Sequence, residues 1–382
     1  MDFQLTESQE RVRALVEEFT ATEIATGAAE RDLAGDFAPV YDILMNKMGP
    51  LGLLGLSYPR EYGGQGKDHI AFVAAMFEIC RFDVSVGAAW SVLLSLGSWP
   101  IYKFGTEQQK QQYLVPLCKG EKMCSFALTE PNAGSDAGMQ ETTATLIHNH
   151  YVLNGRKIYI TNAGFADTYV VMEMTDKSKG TKGISAFIVE KGTQGFEFGR
   201  EEVTMGIRST TKREIIMTDC MITKDHLLGE EGTGFKIAMT AVDVGRLGVA
   251  AQAVGVSWVA TDVAISHSLN RVQFGKPLSA NQGVSFMLAN MATKVELAKL
   301  MVLKAAWLSS QELPYTKEAA MAKMYASDTA MEVTTDAVQI LGGAGYICDN
   351  PVERMMRDAK ILQIYEGTNQ IQRVVIAGKI LR

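Results

Sequence analysis

The 382-residue sequence lacks the short motifs that mark several large classes of enzyme. It has no GxGxxG fingerprint after a predicted strand and no GxxxxGKS or GxxxxGKT loop, which argues against a Rossmann dehydrogenase and a P-loop enzyme. Its five histidines form no HExxH pair and no serine lies in a nucleophile elbow, so zinc and serine hydrolases are not predicted. Its five cysteines lack CxxC spacing, so we expect reduced thiols and no metal site.

The sequence also lacks an excess of positive charge and a long uninterrupted apolar run. With 37 Lys and Arg against 43 Asp and Glu, the formal net charge is −6, whereas nucleic-acid-binding domains are usually basic. No apolar run reaches the ~18 residues of a membrane span. The acidic, amphipathic N-terminus resembles neither a secretory signal nor a transit peptide. We therefore expect a cytoplasmic protein that binds neither nucleic acid nor membrane.

The pattern of apolar and small residues divides the chain into three parts. The first part has helical periodicity and small, apolar residues typical of buried helices. The middle part has β-branched runs separated by turns, and Asn154-Gly155 predicts a hairpin turn between two of them. The last part returns to long helices that are small or apolar on more than one face, which favours a bundle and a subunit interface. We predict an α+β multidomain fold with an N-terminal helical domain, a middle β-sandwich or barrel domain and a C-terminal helical bundle, spanning 1–122, 123–232 and 233–382.

Several segments recur in an order and spacing that point to one family. In chain order they are EYGGQG (61–66), FALTEPNAGSD (126–136), KIYITNAG (157–164), DVGRLGVA (243–250), RVQFGKPL (271–278), QILGGAGY (339–346) and IYEGTNQIQ (364–372). Each alone is weak, but together they make the chain resemble the acyl-CoA dehydrogenase family along essentially its whole length. The resemblance is closest to the short-chain, butyryl-CoA members.

This resemblance implies a fold, a cofactor and a reaction. The bundle would contain four helices, FAD would be bound non-covalently, and the protein would be a homotetramer built as a dimer of dimers. The reaction would be α,β-dehydrogenation of an acyl-CoA to a trans-2-enoyl-CoA, with electrons passed to an electron-transferring flavoprotein. Glu366 would remove the α-proton while FAD accepts the β-hydride. Some members of that family carry the base at another position, which Gly245 matches. Glycine has no side chain that could accept a proton, so Glu366 would be the sole base.

The resemblance also implies which residues contact the ligands. The predicted FAD contacts are Phe126, Leu128, Thr129, Ser135, Tyr159, Ile160, Thr161, Arg271, Phe274, Gln282, Gln339, Gly342, Gly343, Thr368, Asn369 and Gln370. Arg271 and Phe274 would come from the neighbouring subunit. The predicted acyl-CoA contacts are Trp90, Ser135, Asp243, Arg246 and Gly367.

Some of these residues would also fit a purely structural role. PNAGSD is good turn chemistry, and Asp243 with Arg246 has the spacing of an ordinary surface ion pair. Trp90 lies in an apolar segment where it would either shorten the acyl site, stack on an aromatic or unsaturated acyl group, or simply fill the core.

The substrate and direction leave alternatives open as well. The bulky residues Trp90, Leu93 and Leu94 favour a short acyl chain such as butyryl. The same site would also suit an aryl or otherwise unsaturated acyl-CoA, or the reverse reaction, enoyl-CoA reduction. An acyl-CoA oxidase and a non-catalytic subunit that binds acyl-CoA or a flavoprotein are further alternatives, although the intact Glu366 and FAD segments argue against the non-catalytic subunit.

Overall fold

The chain forms helices, then a sheet, then helices again, in a computed structural model that describes residues 4–381. This order confirms the predicted α+β fold class with helical ends and a middle β domain. The helices of the first part are α1 (Glu7–Phe19), α2 (Ala28–Ala34), α3 (Ala38–Asp42), α4 (His69–Cys80), α5 (Val84–Ser91), α6 (Trp99–Phe104), α7 (Glu107–Gln109) and α8 (Val115–Lys119). Short π-helical segments extend several of them, at Thr20–Ile24, Ile43–Met48, Val92–Ser98 and Lys110–Leu114.

A buried ion pair fixes the start of α5, which leads into the site described below. Asp83 precedes this helix, and its Oδ1 accepts hydrogen bonds from the backbone N–H groups of Ser85 (2.9 Å) and Val86 (3.2 Å). Its other oxygen, Oδ2, accepts hydrogen bonds from Nε (2.9 Å) and Nη2 (2.8 Å) of Arg31 on α2. A side-chain oxygen at a helix start satisfies N–H groups that have no partner inside the helix. One carboxylate therefore both begins α5 and joins it to α2.

The middle part is a sheet whose strands run in the order β6-β7-β3-β2-β4-β5-β8, with β1 pairing in parallel with β4. Its strands are β1 (Cys124–Ala127), β2 (Thr143–Ile147), β3 (His150–Thr161), β4 (Thr168–Met174), β5 (Ile184–Glu190), β6 (Phe196–Glu201), β7 (Lys212–Thr223) and β8 (Leu227–Leu228). This mixed sheet places β1 and β3, which carry two of the predicted FAD segments, in one layer.

The prediction of a hairpin turn at Asn154-Gly155 is wrong. Both residues lie inside β3, and the turn into this strand comes earlier, since Ile147 of β2 pairs with His150. Gly155 instead forms a bulge, where the register against β7 shifts, and its φ is +135°. A Cβ at this position would lie 2.4 Å from Cγ2 of Thr142. The glycine is therefore required by close packing in a bulge rather than by a turn.

The last part is built around one long helix. Its elements are α9 (Gly234–Asn270), a small hairpin of β9 (Val272–Gln273) and β10 (Lys276–Pro277), α10 (Gln282–Ser310), α11 (Thr316–Leu341), α12 (Gly343–Tyr346), α13 (Pro351–Leu362) and α14 (Asn369–Ile380). Helix α9 packs against α10, α11 and α13, and also against α4, α5 and β5 of the other two parts. Its many Gly, Ala and Ser residues permit such close contact on all sides.

Two helical stretches are long and apolar enough to span a membrane, Val84–Phe104 and Gly234–Asn270. The expectation that no apolar segment reaches this length was wrong, because each stretch has an 18-residue window with at most 2 charged residues, in which small and weakly polar residues separate the strongly apolar ones. Within the fold, 89% and 72% of their most apolar windows are buried. Burial of this extent is typical of core helices in a globular protein.

A single arginine connects all three parts. On α13, Arg357 Nη2 lies 2.6 Å from Oδ2 of Asp32 in α2, and its Nη1 donates to the backbone carbonyl of Met205 in the middle part (3.2 Å). Its Nε also lies 2.7 Å from a carboxylate oxygen of Glu353 one turn away. The relative placement of α13 and of the loop that follows it is thus tied to both other parts of the fold.

Candidate active site

The Tyr365-Glu366-Gly367 segment forms a tight loop between α13 and α14. Glu366 has φ +54° and Gly367 has φ +88°, so two consecutive residues adopt left-handed backbone. This conformation is uncommon for a residue with a Cβ, and it persists only where neighbouring groups hold it. Thr368 ends the loop by capping α14, since its Oγ1 accepts a hydrogen bond from the backbone N–H of Ile371 (3.3 Å).

Three side chains hold the two carbonyl groups of this loop. The Glu366 carbonyl accepts hydrogen bonds from Nε2 of Gln372 (3.1 Å) and from Nε of Arg246 (3.4 Å). The Gly367 carbonyl accepts from Gln372 Nε2 and from Nζ of Lys323, both at 2.8 Å. The loop is therefore fastened to α9, α11 and α14 at once. Sequence reasoning missed Lys323 and Gln372, because each is a single polar residue in a helical stretch.

The Glu366 carboxylate lies directly against Gly245 of α9. A Cβ built on this glycine would lie 2.9 Å from Oε2 and 3.1 Å from Cδ of Glu366, and 3.2 Å from Cδ2 of Leu96. Position 245, which by the resemblance matches the base of some members of that family, thus lies next to the Glu366 carboxylate. Leu96, from the π-helical segment before α6, forms an apolar wall beside it and was not singled out from the sequence.

Burial controls the charge of this carboxylate. Desolvation raises the pKa of Glu366 to about 7, and the positive charges of Arg246 and Lys323 oppose that rise. Residue 366 as a whole nevertheless keeps some exposed surface. A carboxylate with a neutral pKa and access to a ligand is suited to accept a proton from a weak carbon acid.

Asp243 and Arg246 form a buried ion pair beside this loop. Arg246 Nη1 lies 2.6 Å from Oδ1 of Asp243, and Oδ2 of the same carboxylate accepts from Oγ1 of Thr316 (2.6 Å). The two side chains are only 6% and 14% exposed, so the interpretation of an ordinary surface ion pair is wrong. Because Arg246 also contacts the Glu366 carbonyl, the pair belongs to the surroundings of Glu366.

The two predicted flavin segments contact each other, although their strands β1 and β3 are not paired in the sheet. The backbone N–H of Ile158 donates to the Thr129 carbonyl (2.9 Å), and Oγ of Ser125 donates to the Thr161 carbonyl (2.5 Å). Tyr159 has φ +60° and the residue is 61% exposed, so an aromatic residue with a strained backbone faces solvent here. Phe126 and Ile160, in contrast, are buried, which leaves mainly their backbone groups for a ligand.

A buried lysine joins these two segments from behind, and sequence reasoning missed it. Nζ of Lys157 lies 2.7 Å from Oε1 of Glu130 and donates to Oε1 of Gln140 (3.2 Å). Glu130 Oε2 accepts from the backbone N–H of Glu141 (2.6 Å). Glu130 directly follows Thr129, and Lys157 lies two residues before Tyr159, so this ion pair fixes the spacing of the two segments.

The donor set fits a flavin. Within residues 4–381, the hydroxyl groups of Thr129 and Thr161 make no hydrogen bond to protein, so both are free for a ligand. Leu128 is half-buried beside them, and Ser135 lies in an exposed loop. The free hydroxyls, the exposed aromatic ring and the backbone groups of the two segments could contact a planar heteroaromatic ring and its polar edge.

Six of the other predicted FAD contacts lie on the surface of the last part. Phe274 is fully exposed, with φ +51°, in the hairpin of β9 and β10. Within the described chain, none of the group makes a side-chain hydrogen bond to Glu366, Thr129 or Tyr159. The exposed members are Arg271, Phe274, Gln282, Gln339, Gly342 and Gly343.

The remaining predicted contacts have mixed surroundings. Asn369 is buried, and its Nδ2 donates to Oδ1 of Asp328 (2.7 Å), so its side chain is committed within the protein, while Gln370 is exposed. Trp90 is fully buried and its Nε1 donates to the Leu53 carbonyl (3.1 Å). This geometry favours the interpretation of Trp90 as a core residue, and its contact with an acyl group stays a prediction.

Known proteins resemble this chain along its whole length. Models of the acyl-CoA dehydrogenase N-terminal, middle and C-terminal domains match residues 6–121, 125–220 and 232–381. The chain is 49% identical to the short-chain specific acyl-CoA dehydrogenase of Clostridium acetobutylicum, over 100% of both chains. Its structure is similar to that of butyryl-CoA dehydrogenase from Megasphaera elsdenii, with a TM-score of 0.97, 47% identity and full coverage of both chains. It is equally similar, at 50% identity, TM-score 0.97 and full coverage of both chains, to a chain solved in work on the electron transferring flavoprotein of Acidaminococcus fermentans.

The raised pKa of Glu366 predicts a pH-dependent effect of Glu366→Gln on stability. The native carboxyl holds its proton up to about pH 7, whereas in the unfolded chain it ionises at the ordinary value of 4.5. The native state thus loses stability as pH rises between these two values, and the glutamine variant does not. We expect the variant to exceed the parent in thermal unfolding midpoint by more at about pH 8 than at about pH 5. The exposed Glu7→Gln change is the control, and an equal difference at both pH values would contradict the burial of Glu366.

Proposed function

Because this chain belongs to the acyl-CoA dehydrogenase family, we propose that it removes hydrogen from the α and β carbons of a short acyl-CoA to give a trans-2-enoyl-CoA. Glu366 is the base that takes the α-proton. When bound, FAD supplies the acceptor for the β-hydride. The observation that carries this proposal is the Glu366 carboxylate, with a pKa raised to about 7, held against Gly245 on a residue that keeps some exposed surface.

The loop that bears the base also offers a donor for the thioester oxygen. Removal of an α-proton places negative charge on that oxygen, and a fixed N–H group can stabilise it. Within the described residues, the backbone N–H of Glu366 donates to no protein acceptor. The left-handed backbone at 366 and 367, held by its carbonyl contacts, keeps this N–H beside the carboxylate that takes the proton. One loop thus supplies both the base and a hydrogen bond to the developing enolate.

A short acyl group is favoured by the relatives and by the wall near the base. Two relatives named as short-chain specific, from Clostridium acetobutylicum and Megasphaera elsdenii, are 49% and 48% identical to this chain. Leu96 lies next to Gly245 and Glu366, where a bulky apolar side chain limits the space beyond the α and β carbons. Asp243, Arg246, Ser135 and Gly367 are the remaining proposed acyl-CoA contacts.

The FAD site is proposed to require two subunits. Thr129, Tyr159 and Thr161 would contact the flavin ring, with Phe126, Leu128, Ser135, Ile160 and residues 368–370 around it. Arg271 would bind the pyrophosphate of a cofactor in the neighbouring subunit, since its planar guanidinium can donate two hydrogen bonds to phosphate. Full exposure of Phe274 in a single chain supports this, because a large apolar side chain in open water is expected where a partner covers it.

The assembly, the redox partner and the location are part of the same proposal. Exposed Phe286 and Trp307 on α10 and Val374 on α14 support a homotetramer with the bundle at its interfaces. An electron-transferring flavoprotein is the proposed electron acceptor, supported by the similarity to a chain solved in work on such a protein. Cytoplasmic location and domain boundaries at 122/123 and 232/233 also stay proposals. An aryl substrate, an oxidase and a non-catalytic role are separated from this proposal by the measurements below, and enoyl-CoA reduction would be the reverse reaction of the same site.

The proposed role of Glu366 as the base predicts a change in flavin absorbance. When butyryl-CoA is added without oxygen or acceptor, the flavin absorbance of the parent is expected to fall. Glu366→Gln is expected to keep its FAD but to lose absorbance at least ~100-fold more slowly, because no group removes the α-proton. Glu7→Gln, at an exposed carboxylate, should match the parent. Bleaching of Glu366→Gln at the parent rate would contradict the assignment, no bleaching of the parent would favour a non-catalytic role, and reoxidation by oxygen as fast as by an artificial acceptor would indicate an oxidase.

The acyl chain is tested with a panel of saturated acyl-CoA esters from three to twelve carbons, together with aryl-propionyl esters. We expect kcat/KM to be highest near butyryl-CoA, because Leu96 limits the space near the base. Leu96→Ala should shift the optimum toward longer chains, whereas Leu33→Ala, at an exposed leucine of α2, should leave it unchanged. A highest kcat/KM at eight carbons or more, or with the aryl ester, would contradict the short-chain proposal.

A further inference from the structure

Lys323 lies in the interior of the protein beside the base loop, although nothing in the sequence marks it. It is fully buried on α11, within the stretch Ala322–Met324. Its Nζ donates to the Gly367 carbonyl (2.8 Å) and to Oδ1 of Asn369 (2.9 Å). A buried ammonium group is costly unless hydrogen bonds and opposite charges compensate it, so its partners matter. Both of its hydrogen bonds go to residues immediately after Glu366.

The bond to Asn369 connects Lys323 to a network that fixes the start of α14. Oδ1 of Asn369 also accepts from Oγ of Ser327 (3.2 Å), while Nδ2 donates to Oδ1 of Asp328 (2.7 Å) and to the carbonyl of Met324 (3.3 Å). All of these partners lie on α11. Lys323 and Asn369 therefore anchor residues 367 to 369 to one rigid helix, and Glu366 precedes that anchored segment.

Lys323 differs from Arg246, the other cation near the base, in that it is not paired with a carboxylate of the described chain. Arg246, which approaches from α9, is paired with the Asp243 carboxylate at 2.6 Å. Lys323 has no carboxylate oxygen within 4 Å among the described residues, since Asp328 is reached only through Asn369. The charged groups that act on Lys323 are Glu366, Arg246 and Asp328, and those that act on Glu366 are Arg246 and Lys323. The charge of Lys323 is thus not neutralised by a close carboxylate of residues 4–381, and it acts on Glu366.

We propose that Lys323 is a positioning residue for Glu366: its buried amine holds the Gly367 carbonyl and the Asn369 side chain, which keeps the base loop in its left-handed conformation, and its positive charge favours the ionised carboxylate before proton transfer. This inference rests on the proposed role of Glu366 as the base. Burial lowers the pKa of Lys323 to about 7 while Glu366 raises it, so the two groups titrate over the same pH range and affect one another.

The test uses a ligand that isolates proton removal. Acetyl-CoA has α-protons but no β-carbon, so the holoenzyme cannot dehydrogenate it, and exchange of its α-protons with D₂O, followed by NMR, reports the base alone. Lys323→Met is expected to slow this exchange at least ~10-fold with little change in the KM for acetyl-CoA. The acid limb of the exchange profile should move up by about one pH unit, because a charge that lowers the pKa of Glu366 is lost.

A second variant separates the hydrogen bonds from the charge. Lys323→Gln keeps a donor for the loop but removes the charge, so its exchange rate at high pH should recover toward the parent while its acid limb stays shifted. Lys317→Met changes another lysine of α11, at its exposed start, and should behave as the parent. FAD absorbance and circular dichroism establish that each variant is folded and loaded.

Two outcomes are kept distinct. If Glu366→Gln exchanges acetyl-CoA protons as fast as the parent, the proposed base is wrong and Lys323 loses its role with it. If Glu366→Gln is inactive but folded Lys323→Met and Lys323→Gln both exchange within about two-fold of the parent, with an unmoved acid limb, the inference on Lys323 alone is overturned.

Discussion

The burial of one carboxylate beside two cations is the constraint on which the rest of this structure depends. Removing the Glu366 carboxylate from water opposes its ionisation, whereas Arg246 and Lys323 favour it, and the resulting pKa lies near neutrality. With burial alone the carboxyl would remain protonated and could not act as a base. With a close ion pair it would ionise at low pH and be too weak a base. The structure avoids both extremes, since each cation contacts the backbone of the loop rather than the carboxylate itself.

Contacts far from Glu366 also help to hold its carboxylate in place. Gly245 leaves room for the carboxylate, and α9, which carries it, packs against all three parts of the chain. The loop is held at its carbonyl groups from α9, α11 and α14, and Arg357 ties the preceding helix α13 to the first and middle parts. The ion pair of Glu130 and Lys157 performs the corresponding task in the sheet, where it spaces the two proposed flavin segments.

The sequence predicts the order of the three parts because the change from helical to strand periodicity depends on local pattern alone. It predicts Glu366 only through the resemblance, since a glutamate before a glycine carries no signal of burial. The hairpin predicted at Asn154-Gly155 failed because glycine serves a bulge as well as a turn, and only pairing with β7 distinguishes the two. Lys323 and Lys157 were missed because a lone lysine usually lies at the surface, and their burial arises from packing between segments distant in the chain.

The central claim is that the carboxylate which removes the α-proton lies in the space left by Gly245. The most direct measurement is the rate at which butyryl-CoA reduces bound FAD, without oxygen, in Gly245→Ala and in Gly378→Ala. The added methyl group at position 245 would lie within 2.9 Å of Oε2 of Glu366, whereas nothing lies within 4 Å of one at position 378. Reduction is expected to slow at least ~10-fold in Gly245→Ala and to be unchanged in Gly378→Ala. A folded, FAD-loaded Gly245→Ala protein that is reduced at the parent rate would contradict the claim.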